Sequence, residues 1–229
     1  MGRGTGGSRP GEIARIPSAV RRLLPADTAR AWVELTPHLP EPLYLGGGTA
    51  VMVHLRHRKS RDLDFFAHEN VDLGQLRKML ETVGSFATAY EDEGTLRGLY
   101  GATKLEIFVA PSIRQLAPPR IVAGLRVGSL QDLMAMKIKV LAEQGEARDY
   151  FDVKTIDESG AISVEEGIEL YLARYRVDPS SGPLHHLYRA MGNLSDVEKD
   201  AALPMTTEEL QKWWSRRQVR VLRNSNRFS

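Results

Sequence analysis

The spacing of apolar residues predicts how the first part of the chain folds. Between residues 11 and 35, apolar positions recur at helical spacing and are interrupted by Pro17 and Pro25. This pattern predicts one short helix and one longer helix. Residues 42–66 then read as a short apolar strand, a turn of three consecutive glycines, a helical segment, a basic loop and a second strand.

The pattern after residue 70 predicts a mixed half and a helical half. Leu73–Val83 has helical spacing, whereas Phe86–Tyr90 and Lys104–Val109 are typical of strands, so a small sheet flanked by helices is expected. From Ser129 onward the apolar spacing is mostly helical. The sequence therefore predicts an α+β protein.

Changes in composition suggest where the domains begin and end. Residues 1–10 are rich in glycine and cationic residues and have nothing to bury, which is typical of a mobile tail. A proline- and glycine-containing stretch near residues 118–128 separates the two halves. We expect a mixed α/β domain over residues 11–125 and a helical domain over residues 126–229.

Two aspartates in the second predicted strand are candidates for metal binding. Side chains at alternate positions of a strand point to the same face, so Asp62 and Asp64 lie side by side while Leu63 and Phe65 point into a core. Adjacent carboxylates repel each other unless a cation neutralises them, and oxygen ligands suit Mg²⁺ bound to nucleotide phosphates. The alternative is a solvated face of an edge strand.

The glycine turn before the helix has two interpretations. Backbone N–H groups at a glycine-rich helix start can approach a phosphate closely, which makes Gly47, Gly48 and Thr49 candidate phosphate contacts. Glycine also occurs in such turns for purely steric reasons. The Asp-x-Asp strand that follows the turn makes the phosphate interpretation more specific.

Two charged residues lie among apolar neighbours. Glu106 is the one acid in a strand-like segment, and it is either a third metal ligand or an acid on an exposed strand face. Lys137 lies within an apolar helical stripe that includes Leu133, Met134 and Leu141. A buried ammonium without a partner is costly, so we expect a phosphate or carboxylate partner, with snorkelling as the alternative.

Two further groups of charges follow. Asp149 and Asp152 share one helix face, and Arg148 is spaced to pair with Asp152. Near the C-terminus a run of cations interleaved with tryptophan suits the backbone of a nucleic acid, although a solvated helix face or a packing anchor gives the same pattern. The candidate RNA-binding residues are Arg216, Arg217 and Arg220.

The composition of the chain excludes several classes of site and of protein. The 229 residues include no cysteine, which excludes disulfides, thiolate metal sites and a cysteine nucleophile. No apolar run is long enough to span a membrane and the N-terminus lacks the apolar stretch of a signal peptide, so we expect a cytoplasmic protein without membrane contact. The net charge of +2 is nearly balanced.

The combined motifs resemble a known family. The run YLGGGTAVMVHLRHRKSRDLDFF, followed by SLQDLMAMKIKVLAEQGEARDYFDV, is similar to the AbiEii/AbiGii-type nucleotidyltransferase toxins, which include the MenT toxins. The resemblance covers roughly residues 42–155 and neither tail adds to it. It implies the DNA polymerase β-like nucleotidyltransferase fold with a helical C-terminal region that completes the active site.

The resemblance also implies roles for the candidate residues. Asp62 and Asp64 would hold Mg²⁺ or Mn²⁺, Lys137 would bind the nucleoside triphosphate, and Asp152 or Asp149 would complete the active site. In classical polymerase β-like enzymes the third acidic ligand is an aspartate on the later strand, where this sequence has Glu106, which leaves the number of metals open. The residues expected along the phosphates are Gly47, Gly48, Thr49 and Ser60, of which Ser60 and Thr49 are also candidates for regulatory phosphorylation.

For function, the resemblance implies the toxin of a toxin–antitoxin pair. Such an enzyme would add nucleotides, with CTP or UTP as the expected donor, to the 3′ end of tRNA and so block aminoacylation and translation. Its partners would be tRNA and a cognate antitoxin protein. Two alternatives stay open: transfer to a protein or small-molecule hydroxyl, and a catalytically silent module that binds RNA or a partner.

Overall fold

A computed structural model of the chain describes residues 15–180 and 182–224. The predicted tail at residues 1–10 lies outside the described residues. Nine helices occur in the described part. They are α1 (Ser18–Arg21), α2 (Ala26–Leu35), α3 (Gly47–Leu55), α4 (Leu73–Val83), α5 (Leu130–Glu143), α6 (Ala147–Glu158), α7 (Val164–Tyr175), α8 (Gly182–Gly192) and α9 (Thr207–Arg223).

The strands form one mixed sheet in the order β3-β4-β5-β2-β1-β7-β6. Strand β2 runs parallel to β5 and antiparallel to β1, while β1 runs parallel to β7. The order therefore places β2 and β5 inside the sheet. The strands are β1 (Tyr44–Leu45), β2 (Leu63–Ala67), β3 (Phe86–Glu91), β4 (Thr95–Tyr100), β5 (Thr103–Val109), β6 (Arg120–Val122) and β7 (Leu125–Val127).

Local sequence explains where several helices begin. The Asp72 side chain accepts a hydrogen bond from the Gln75 amide at the start of α4, and the Ser129 side chain does the same for the Asp132 amide at the start of α5. Reciprocal capping boxes start α6, α7 and α9. These caps satisfy amides that have no partner within the helix, so each start is fixed by a few neighbouring residues.

Helix α5 is the central helix of the second half. Most of its residues are buried, and it packs against α3, α6, α7 and α8. Because α3 also packs against β2, α5 connects the helical half to the sheet. The buried Lys137 of α5 is therefore held at the boundary between the sheet and the helices.

The structure confirms the α+β prediction and extends the sheet. The strand–glycine turn–helix–strand order and α4 occur as expected, but β4, β6 and β7 were not predicted. In β4, Gly98 interrupts the apolar alternation because a Cβ there would lie 2.3 Å from the Ala87 carbonyl oxygen. Strand β7 carries the sheet to Val127, and the division into two domains stays a prediction. None of the described helices offers an apolar stretch of the length that a bilayer requires.

Candidate active site

A cavity of about 520 Å³ lies where β2 and β5 face the start of α3 and the adjoining parts of α5 and α6. Its polar side is lined by candidate residues from both halves of the chain, and its apolar side is lined by aromatic and aliphatic residues. The predicted residues that line it are Gly47, Gly48, Ser60, Asp62, Asp64, Glu106, Lys137 and Asp149. Residues far apart in sequence therefore meet at one site.

The two aspartates of the Asp-x-Asp motif lie side by side on the cavity wall. Leu63 and Phe65 are fully buried behind them, as the alternation predicts. Burial, and after it the neighbouring carboxylates of Glu106 and Asp62, raise the pKa of Asp64 to about 6. The repulsion between these carboxylates is a part of that shift which a bound cation would relieve.

Each glycine of the turn is required by a side chain that approaches it. Gly47 has a left-handed backbone conformation with φ of 61°, which favours glycine. A Cβ would lie 2.5 Å from the ring of Phe66 at Gly46, 2.0 Å from the Asp64 Oδ2 at Gly47, and 2.4 Å from the Arg58 Nη2 at Gly48. The steric interpretation therefore holds for all three, and Gly47 and Gly48 also line the cavity.

Thr49 and Ser60 occupy different positions relative to the cavity. The Thr49 side chain is buried, and its hydroxyl donates to the main-chain carbonyl of Asp62 at 2.5 Å. The Ser60 Oγ lies 2.8 Å from that hydroxyl and Ser60 lines the cavity, whereas Thr49 does not. Thr49 thus fixes the backbone just before β2, and Ser60 lines the cavity.

Lys137 has the carboxylate partners expected of a buried ammonium. Its Nζ lies 2.6 Å from Asp149 Oδ1 and 2.9 Å from Asp152 Oδ2. Burial by itself lowers the pKa of Lys137, but the charges of Asp152 and Asp149 outweigh that effect and raise it. Lys137 is therefore a fixed positive charge at the cavity wall.

Asp152 is the centre of a buried ion-pair cluster. Its carboxylate is completely buried and accepts hydrogen bonds from His57 Nε2 at 2.7 Å, Arg58 Nε at 2.6 Å and Arg58 Nη2 at 2.8 Å. Burial opposes ionisation, but Lys137, His57 and Arg58 together hold its pKa well below the usual range. Asp152 does not line the cavity and Asp149 does, so Asp152 positions Lys137 and Arg58.

Arg148 is placed differently from the sequence expectation. It does not pair with Asp152; its Nη2 lies 2.5 Å from Glu146, and its Nη1 lies 3.9 Å from Asp62 Oδ2. The pairing fails because His57 and Arg58 already occupy Asp152. Arg148 instead adds a positive charge to the cavity wall beside the Asp-x-Asp motif.

Glu106 lies beside Asp64, since the two residues are paired in the parallel register of β2 and β5. Its carboxylate lies 3.3 Å from Arg97 Nε and 3.3 Å from Lys104 Nζ. Within residues 15–180 and 182–224, no group of three or more acidic or histidine side chains is arranged to hold a metal ion. The chemistry that fits is the pair Asp62 and Asp64 together with substrate phosphates, which is how proteins commonly bind Mg²⁺.

The apolar side of the cavity was not predicted from the sequence. The rings of Phe66 and Phe108 stack there with centroids 5.1 Å apart, next to Met136. Arg174 also lines the cavity, and its guanidinium pairs with the buried carboxylate of Asp132. In β2 the alternation that brings Asp64 to the cavity also brings Phe66 there. This alternation was the sequence signal from which the position of Phe66 could have been predicted.

The predicted RNA-binding arginines of α9 separate into two kinds. Arg217 lies 2.9 Å from Asp157 Oδ1, and it also pairs with Glu165, so its charge is neutralised between α9 and the neighbouring helices. Arg216 and Arg220 are exposed. No described residue of α9 lines the cavity, and the helix instead packs against α6 and α8.

Comparison with known proteins gives a family and a fold. The family model described as "Nucleotidyl transferase AbiEii toxin, Type IV TA system" matches residues 30–225. An uncharacterized protein of Aquifex aeolicus strain VF5 is 24% identical over 136 residues, which are 58% of this chain. The chain spans 66% of that curated relative, just under two thirds of its length.

Two solved structures are similar over nearly the whole chain. A Helicobacter pylori protein assigned as a nucleotidyltransferase is 19% identical, with 92% of this chain and 96% of that chain covered and a TM-score of 0.51. MenT4, a nucleotidyltransferase toxin from Mycobacterium tuberculosis H37Rv, is 15% identical, with 89% of both chains covered and a TM-score of 0.52. These similarities confirm the expected nucleotidyltransferase fold.

Proposed function

Since the chain belongs to the AbiEii family of nucleotidyltransferase toxins of type IV toxin–antitoxin systems, we propose that it transfers a nucleotide from a nucleoside triphosphate to the 3′ end of tRNA. The donor is CTP or UTP, as the family resemblance implies. Modification of that end blocks aminoacylation and so stops translation. A cognate antitoxin protein is the second partner.

The pairing of adjacent carboxylates with fixed cations supports this proposal. Asp62 and Asp64 bring negative charge to the cavity, while Lys137 and Arg148 bring positive charge to the same wall. Phosphoryl transfer needs little covalent chemistry from the protein, and it depends mainly on positioning and charge stabilisation. This one arrangement carries the proposal.

In the proposed reaction, the 3′-hydroxyl oxygen of the RNA attacks the α-phosphorus of the nucleotide. The new oxygen–phosphorus bond forms as the bond to the β-phosphate breaks, pyrophosphate leaves, and the hydroxyl proton is released to water. Lys137 and Arg148 offset the charge of the phosphates. Asp62 and Asp64 would hold Mg²⁺ or Mn²⁺, which when bound neutralises charge on the phosphate oxygens.

The apolar side of the cavity supports a nucleotide as the donor. Phe66, Phe108 and Met136 offer a surface on which a planar base packs, and Phe66 and Phe108 follow Asp64 and Glu106 along the same face of β2 and β5. Ser60 faces the cavity and is the better candidate for regulatory phosphorylation, because the Thr49 hydroxyl is buried and already donates to Asp62.

The test is nucleotide transfer by the purified protein with Mg²⁺, total tRNA and each labelled nucleoside triphosphate in turn. We expect label on tRNA with CTP or UTP, and none after Asp62→Ala or in the presence of EDTA. The control Asp27→Ala removes an exposed carboxylate outside the cavity and should keep full activity. Label on protein, or no label on RNA with any donor, would refute the proposed acceptor.

The melting temperature of Asp62→Ala completes this test. Asp62→Ala removes repulsion from Asp64, so its melting temperature should stay within about 2 °C of the wild type. A fall of many degrees would show that Asp62 is a structural residue, and the loss of activity would then say nothing about the chemistry.

A further inference from the structure

Five exposed cations lie on two segments of the chain that meet beside the cavity: Arg21 and Arg22 at the end of α1, and Arg56, Lys59 and Arg61 between α3 and β2; together they are called the basic surface. Two hydrogen bonds join the segment between α3 and β2 to the α1–α2 region. The Ser60 amide donates to the Leu23 carbonyl at 3.1 Å, and the Thr28 hydroxyl donates to the Arg61 carbonyl at 2.8 Å. Cations far apart in sequence are therefore held on one surface.

The described part of the chain supplies no ion-pair partner for the cations of the basic surface. In the part of the chain that the structure describes, no carboxylate lies within 4.0 Å of a charged nitrogen of these five residues. Asp27 of α2 pairs with Arg30 at 3.6 Å rather than with a residue of the basic surface. Burial, and then the charge of Arg56, lower the pKa of Arg120, so positive charge also accumulates toward β6.

The basic surface continues directly into the rim of the cavity. Arg58, Ser60 and Asp62 line the cavity, and Lys59 and Arg61 alternate with them along the same segment. Consecutive Cα atoms are about 3.8 Å apart, so these two cations lie one residue from the cavity wall. Lys59 and Arg61 are thus exposed positive charges within three residues of Asp62 along the chain.

The exposed cations of α9 are not continuous with the rim of the cavity. Arg216 and Arg220 are exposed, but no described residue of α9 contributes to the cavity, and Arg217 is already paired with carboxylates. The two surfaces carry similar exposed charge and differ in their distance from the chemistry. The position of the cavity therefore favours the basic surface for contacts close to the reacting end.

We propose that the basic surface binds the phosphate backbone of the RNA acceptor and guides its 3′ end into the cavity. This inference rests on the proposed function for its acceptor. Arginine and lysine side chains neutralise phosphates without reading bases, so the contact is independent of sequence and weakens as salt rises. The bases near the 3′ end are not specified by this surface.

The test compares two variants that each lose three exposed cations. The first is Arg22→Gln with Lys59→Gln and Arg61→Gln, and the matched control on α9 is Arg216→Gln with Arg220→Gln and Arg223→Gln. All six side chains are exposed and without ion pairs among the described residues, so both variants should keep the wild-type melting temperature.

We measure tRNA binding at several salt concentrations and nucleotide transfer at varied tRNA. The first variant should weaken tRNA binding about tenfold and reduce the slope of log K against log salt by about 2–3 units. Its KM for tRNA should rise by a similar factor, while kcat and the KM for the nucleotide stay unchanged. The α9 control should change the KM for tRNA much less.

The outcomes separate this inference from the proposed function. If the wild type labels tRNA and the first variant keeps the wild-type KM for tRNA and the wild-type salt slope, the RNA-binding role of the basic surface is refuted and the proposed function stands. A larger effect of the α9 variant also refutes it. If tRNA binding depends on the basic surface but the wild type transfers no nucleotide to RNA, the proposed function fails and the RNA-binding surface stands.

Discussion

Replacing Asp152 with asparagine tests whether the buried ion-pair cluster holds the two halves of the chain together. The carboxylate of Asp152 lies 2.9 Å from Lys137 Nζ, 2.7 Å from His57 Nε2 and 2.6 Å from Arg58 Nε. Asp152→Asn keeps the shape of the side chain and removes its charge. Lys137 and Arg58 then repel each other in a buried site with one carboxylate fewer.

The expected loss follows from the complete burial of Asp152. Removing one partner from a buried ion pair typically costs about 3–5 kcal/mol of the free energy of unfolding. For a protein of this size each kcal/mol lowers the melting temperature by about 2–4 °C. The melting temperature of Asp152→Asn should therefore fall by about 6–20 °C at pH 7.

The matched control is Asp149→Asn, followed by circular dichroism during heating. Asp149 contacts the same Lys137 but its side chain is 12% exposed, and asparagine still accepts the hydrogen bond from the Glu146 amide. Lys137 also keeps Asp152 as a partner in this variant. We expect a clearly smaller fall in melting temperature than for Asp152→Asn, and an equal or larger fall would refute the reasoning.

The dependence on pH has a definite sign. The pKa of Asp152 is lowered in the folded protein, whereas an unfolded aspartate has a pKa of about 3.9. Its stabilisation is therefore complete above that value and is lost as the pH falls toward the folded pKa. The difference in melting temperature between wild type and Asp152→Asn should be constant from pH 7 to pH 5 and shrink below about pH 4. A difference that grows as the pH falls would contradict this assignment.

Two further substitutions, each with a control variant, test the glycine turn and the ion pairs of α9. Gly47→Ala places a Cβ 2.0 Å from Asp64 Oδ2 at a left-handed position, so it should abolish nucleotide transfer and destabilise the fold. Gly101→Ala, with φ of 57° and no heavy atom within 4 Å, should cost only about 1–2 kcal/mol for the backbone and keep activity. Arg217→Met breaks two ion pairs of α9 and should lower the melting temperature by about 6–12 °C, whereas Arg216→Met should leave it unchanged. RNA affinity that falls after Arg217→Met without any loss of stability would show that Arg217 contacts RNA directly.

The sequence by itself determined the features that depend on neighbouring residues. Alternation in β2 placed Leu63 and Phe65 in the core and Asp64 on the cavity wall. Helical spacing gave α4 its observed limits and put Lys137 on the apolar stripe of α5. These features were predictable because side-chain direction within a helix or strand follows directly from the position in the chain.

Only the tertiary structure decided which charges are paired. Asp152 meets His57 and Arg58, which are 95 and 94 residues away along the chain, and this displaces the local pairing with Arg148. Arg217 likewise pairs with carboxylates of other helices, although Arg216 and Arg220 of the same helix are exposed. Such pairings have no periodic signature, because they depend on how complete elements pack.

The unpredicted strands and the apolar side of the cavity also depend on tertiary packing rather than on local sequence. Strands β4, β6 and β7 are short or contain glycine, and they become strands through pairing with neighbours that the local pattern does not identify. The apolar side of the cavity joins Phe66 of β2, Phe108 of β5 and Met136 of α5. The sequence determined which side chains each element could present, and the packing of distant elements decided which of them meet at the site.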